Sequence, residues 1–166
     1  MTVNDLASLT DLLRTLGARE PELWARSQVE EGIPQVGRFL FLREAWARIV
    51  PASDPSWIHT EVRDAEARPN DPYAGVGQSL KALLATGATE ADLTNLVRGM
   101  QAQLLFHLCY LLEDANLAEE QVRDIQWGLF LLDSDGRPTK PLGGLHESVL
   151  ETDPTGREVR PNESAG

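Results

Sequence analysis

Leu6, Leu9, Leu12, Leu13 and Leu16 recur in steps of three and four, which places them on one face of an α-helix over residues 4–16. Asn4 is the expected N-cap, and Gly17 can take the left-handed conformation that ends the helix. Pro21 sits where a first helical position costs no hydrogen bond, so a second helix is expected from there to about Gly32. Pro34 opens a third, through Val50, with Val36, Phe39, Leu40, Leu42, Trp46, Ile49 and Val50 as its apolar face. Asp54-Pro55 starts a fourth, to about Arg68, whose charges leave Trp57, Ile58, Val62 and Ala65 to pack.

Residues 69–77 (PNDPYAGVG) read as a turn-rich joint, with a helix following from Gln78 to Thr86. Thr89, with Asp92 three residues on, is a variant capping box for the longest helix, 89–114. Its stripe is Leu93, Leu96, Val97, Met100, Leu104, Leu108, Leu111 and Leu112. From Leu104 onward it is apolar nearly all round, which predicts a central helix with Leu104 and Leu108 almost fully buried.

Beyond a short segment at 118–124, residues 125–132 (IQWGLFLL) form a dense run rich in β formers. Asp133-Ser134-Asp135-Gly136 signals a turn, and Pro138 and Pro141 limit the returning segment to an edge strand. A second turn, Asp153-Pro154-Thr155-Gly156, lies between 148–152 and 157–160, and 161–166 reads as a frayed tail. The expected fold is mostly α: one domain over 1–160, a helical bundle around one central long helix, with a small C-terminal β hairpin or meander over 125–160. The alternative is an all-α chain with 144–151 helical.

At 166 residues the chain is long enough for a substantial core, and 42% hydrophobic with 25% charged residues is ordinary for a globular domain. The net charge of −11 argues against nucleic acid and against anionic membranes, both of which attract basic surfaces. It admits either plain solubility or an acidic face for a basic protein partner. One cysteine, Cys109, allows no internal disulfide and suits a reducing compartment, so a cytoplasmic location is expected. The N-terminal segment lacks a basic region and a long apolar run, so no secretory signal is expected. Arginine far outnumbers lysine, present only as Lys81 and Lys140, a bias common in GC-rich bacteria.

Candidate chemistry is sparse. His59, His107 and His146 lie in separate segments without chelating spacing, so no metal site is expected. His107 reads as a partly buried helix histidine and Cys109 as a small core residue. Gly75-Val76-Gly77-Gln78-Ser79 precedes a helix, where backbone N–H groups hold anions, but it lacks the Gly-Lys-Ser/Thr end of a P-loop and a preceding strand. Asp133–Gly136 fails the calcium-loop pattern, because Pro138 and Gly144 stand where glycine and glutamate are needed. Acid pairs such as Glu61 with Asp64 are ordinary on solvated helix faces. His146 and Glu147, followed by Ser148, are the residue types of acid–base catalysis, but neighbours in sequence do not by themselves converge on a substrate.

The segments WGLFLLDSDG (127–136) and GLHESVLETDPTGREVRP (144–161) resemble a small bacterial protein family with no assigned activity. The resemblance spans about the last quarter of the chain. It implies a stable bacterial domain and carries no functional residue.

Two function classes remain open. One is a protein-binding or regulatory module acting through an acidic surface, with Glu61, Asp64 and Glu66 as the candidate face. Small acidic bacterial inhibitors of toxins offer an analogy. The other is an enzyme with a site near His146, Glu147 and the Gly75–Gly77 joint. Histidine and carboxylates converging in a cleft would favour the enzyme, and a flat acidic or apolar patch the binder. No complete catalytic set, cofactor site or metal site is legible in the sequence, so the binder is the reading adopted.

Overall fold

The computed structural model describes residues 5–115 and 117–160. The helices are α1 (Leu6–Thr15), α2 (Pro21–Glu30), α3 (Gln35–Trp46), α4 (Ser56–Ala67), α5 (Ala74–Ala85), α6 (Glu90–Glu113) and a one-turn α7 (Leu145–Ser148). Between α6 and α7 run a 3-10 turn (Glu120–Val122) and an antiparallel pair, β1 (Phe130–Leu132) and β2 (Pro138–Pro141). The protein is therefore mostly helical, with one long helix of 24 residues and a small C-terminal hairpin. Among the described residues no helix is long and apolar enough to cross a membrane.

The capping chemistry explains most boundaries. Asp5 caps α1 by accepting the Ser8 N–H at 2.9 Å, while Asn4 lies outside the described residues. Pro21 takes the first position of α2. Thr89 Oγ1 accepts the Asp92 N–H at 3.1 Å and donates to the Asp92 carboxylate at 2.6 Å, as the capping-box spacing predicts.

The described residues divide into two compact units, those within 5–46 and 104–160 and those of 47–103. In the first, α1 packs on α2, α2 on α3, and α3 on α7. Its core joins Leu9, Leu13, Trp24, Ala25 and Phe39, with Trp24 and Phe39 edge to face at 5.5 Å. Leu42, Trp46, Leu145 and Val149 are also buried, and the Trp46 indole donates to the Val149 carbonyl at 2.9 Å. In the second unit α4 packs on α5 around Ile58, Leu80 and Leu93.

Four expectations are corrected. The joint at 69–77 is shorter than its composition suggests, because α5 begins at Ala74 and takes in Gly75 and Gly77. Gly77 is there for space: a Cβ on it would lie 2.1 Å from the Glu61 carbonyl oxygen of α4. The β element is confined to 130–141. Ser148 closes α7 and Thr152 lies in the turns after it, so 144–151 is partly helical, and no strand forms at 157–160. Leu104 and Leu108 are 57% and 47% exposed, not buried. The line of α6 that is covered carries Thr94, Arg98, Ala102 and Cys109 instead. His107, expected to be partly buried, is exposed.

Candidate functional site

His146 is the second residue of α7, which follows Gly144, whose φ of +67° is the left-handed turn that swings the chain into the helix. The carboxylate beside its ring comes from α6: Glu113 Oε2 lies 2.8 Å from Nδ1, an ion-pair distance once the ring is protonated. The direction does not serve a hydrogen bond, and Nδ1 is buried without one. Phe106 and Tyr110 of α6 stand edge-on to the ring at 5.8 and 5.2 Å. The other oxygen of Glu113 accepts the Gly144 N–H at 2.9 Å.

Arg38 of α3 completes this cluster. It donates to the Gly144 carbonyl and, at 3.1 Å, to Ser148 Oγ. Burial pushes its guanidinium below the ordinary value, against the opposing pull of Glu147, Glu113 and Glu151. Ser148 is thus an acceptor for a buried cation, with no histidine placed to activate it. Glu147 is exposed. The two sequence candidates are therefore separated in place: His146 lies beside Glu113, and Glu147 faces solvent near Arg38. Arg38 and Glu113 were missed, and the only sign of the former is a charge set inside the apolar run VGRFLFL.

A cavity of about 480 Å³ lies elsewhere in this unit, between the end of α1 and the turn at 151–158. Trp24 and Phe39 line it, with Arg19, Arg43, Glu151 and Asp153. Its polar groups are largely committed to one another. The Trp24 indole donates to Glu151 Oε1 at 2.9 Å, Arg19 donates to the Glu151 carbonyl, and Arg43 pairs with Glu44 at 3.0 Å. Asp153 is buried and accepts from Thr155 N, Thr155 Oγ1 and Val159 N, which holds Val159 at a φ of +60°. Neither His146 nor Glu147 lines this cavity.

The acidic helix α4 is at the surface of the second unit. Asp64 and Glu66 are exposed, whereas Glu61 is half-buried. Glu66 is neutralised by Lys81 at 2.5 Å, and Asp64 lies 3.8 Å from Arg63. Glu61 and Asp64 flank a shallow cleft of about 200 Å³ with Arg68, Asp71 and Tyr73. Two of the three carboxylates expected to form an acidic face therefore have a cation beside them. Gly75 and Gly77 belong to this unit and His146 to the other, and both glycines are inside a helix.

The most extensive feature is apolar. In the first unit Leu104, Phe106, Leu108, Tyr110 and Leu111 of α6 are exposed, followed by Ile125, Trp127, Phe130 and Leu132. Leu104, Leu108 and Leu111 follow i, i+4, i+7 spacing and form one line on the helix. The Trp127 indole donates to the Leu111 carbonyl at 2.6 Å, which lays the 125–132 segment alongside this end of α6. From 99 to 112 there is no Asp, Glu, Lys or Arg. Phe106 and Tyr110 stand on the other side of α6, around His146.

Cys109 belongs to the covered side of α6, and burial pushes its thiol up to about 11 from 9.0. Between those values the native state keeps a proton that the unfolded chain releases. The contribution is therefore full below pH 9 and is lost as pH rises toward 11, by at most about 2–3 kcal/mol. Urea melts at about pH 8 and pH 10.5 should show a larger loss for the wild type than for Cys109→Ala. Equal losses would place the thiol in contact with water.

No family model, curated protein or solved structure matches this chain.

Proposed function

We propose that this protein is a protein-binding module and that its binding surface is the apolar face of the first unit. The observation that carries this reading is the outward line Leu104, Leu108 and Leu111, continued by Trp127 and its neighbours, in a stretch without charge. Exposed leucines on a helix lose hydrophobic stabilisation at about 25 cal/mol for each Å² left in water, and a partner recovers it. The acidic character of the chain serves solubility and the steering of an approach. The enzyme reading is weaker. His146 has its carboxylate, but Ser148 is tied to Arg38 and the larger cavity is lined by other residues.

Photo-crosslinking tests this. A photoreactive amino acid at position 111 should give protein adducts in an extract of the source organism. The same group at the exposed, polar position 26 on α2 serves as background. Adducts at position 111 no more abundant than those at position 26 would remove the apolar face from the binding model.

A further inference from the structure

We propose that the cavity between the end of α1 and the turn at 151–158 binds a free α-amino acid with an aromatic side chain, its carboxylate on Arg19 and its ammonium on Glu20. The site uses none of the residues of the apolar face and does not depend on that face.

Charge on the cavity wall selects the ligand. Most charged groups there already have a partner within the chain. Arg43 pairs with Glu44 at 3.0 Å and Glu158 with Arg160 at 2.6 Å. Glu151 accepts the Trp24 indole N–H, and the buried Asp153 carboxylate accepts the N–H groups of Thr155 and Val159. Two residues differ. Among the described residues Arg19 donates to the neutral Glu151 carbonyl and forms no ion pair. Glu20, just before α2, caps no backbone N–H with its side chain and has neither a hydrogen bond nor an ion pair there. Although adjacent in sequence, the two do not pair with each other. The cavity therefore holds one cation and one carboxylate that the chain leaves unmatched. A small zwitterion matches both. An anion alone would face Glu20, and a cation alone would face Arg19.

The apolar lining selects the side chain. Trp24 and Phe39 line the cavity edge to face at 5.5 Å, together with Leu16 and Pro154. A third ring packs favourably against such a pair. The volume of about 480 Å³ is within the range of small-molecule sites, about 300–1,000 Å³.

The wall is also preformed. The Arg19 guanidinium lies so close to Gly156 that a Cβ there would be 2.8 Å from its Nη1. Glu158 and Val159 hold φ values of +53° and +60°, unfavourable for any residue with a side chain and most of all for a β-branched one. Asp153 fixes that conformation through the Val159 N–H at 3.0 Å. A turn locked in this way sets the cation in place before a ligand arrives, which lowers the ordering cost of binding.

NMR titration of the purified full chain tests this through its amide shifts. L-phenylalanine should shift amides around Arg19–Trp24 and 151–158, with a Kd of about 0.1–1 mM. Phenylpropionate lacks the ammonium and phenethylamine lacks the carboxylate, so each should bind about tenfold more weakly or worse. Arg19→Gln should weaken phenylalanine about tenfold and leave phenethylamine no weaker. Glu20→Gln should weaken phenylalanine by a similar factor and leave phenylpropionate no weaker. Both side chains are exposed, so neither variant should disturb the fold. An absence of shifts at about 10 mM phenylalanine, or shifts confined to residues outside the cavity, would overturn the proposal. So would single-charge analogues that bind as tightly as phenylalanine, or variants that bind it like the wild type.

Discussion

Gly77→Ala should destabilise the second unit by about 2–4 kcal/mol, whereas Gly75→Ala, two residues away on the same helix, should stabilise it by about 0.5–1 kcal/mol. Both substitutions remove the same helix penalty, since alanine is the better helix former by about 1 kcal/mol. They differ in what the new methyl meets. At Gly75 it finds nothing within 4 Å. At Gly77 it would lie 2.1 Å from the Glu61 carbonyl oxygen and 2.6 Å from the Ala65 Cβ, both on α4. The obstacle is backbone, so no rotamer change relieves it. The helices must separate, and Ile58 and Leu80 lose the packing that makes this core. Thermal or urea melts of the two variants check this directly. A neutral Gly77→Ala would mean that α4 and α5 lie farther apart.

Arg38→Met should cost about 3–5 kcal/mol, the range for removing one partner of a buried charged network. Methionine nearly fills the space of the arginine stem, so the loss is electrostatic rather than a cavity. Ser148 Oγ and the Gly144 carbonyl lose their donor, and Glu113 and Glu147 lose the cation between them. The damage should concentrate at α7, where the Trp46 indole holds the Val149 carbonyl and α3 meets the C-terminal segment. Hydrogen exchange of amides 145–153 should therefore accelerate more than that of α4 and α5. An equal effect across the chain, or a loss below about 1 kcal/mol, would show Arg38 to be an ordinary surface-type charge.

The elements that were legible share one feature: their signals are local. Pro21, the Thr89–Asp92 pair and the turn ending in Gly136 act within a few residues, and each stands where its chemistry requires. The hairpin forms for the same reason, since Asp133 accepts the N–H groups of Asp135 and Arg137 at 2.9 Å and closes the turn. The start of α5 was misread because two glycines and two prolines in sequence look like a flexible connector. Their meaning depends on α4, which no local pattern reveals. Tyr73 caps that start in the left-handed region at a φ of +71°, a conformation its side chain does not advertise.

The candidate site divides the same way. His146 and Glu147 were visible as residue types, but Glu113 and Arg38 come from 33 and 108 residues earlier in the chain, and only folding joins them to His146. The apolar ridge was visible too, and was assigned to the wrong side of the surface. An uncharged stretch is what a buried helix and an interface helix both need, because each ends with water excluded. Hydrophobic spacing determines that Leu96, Met100, Leu104 and Leu108 share a face of α6. Which face the chain covers was decided by tertiary packing, which set Ala102 and Cys109 against the protein and left the leucines outward. Burial along α6 therefore does not follow hydrophobicity alone.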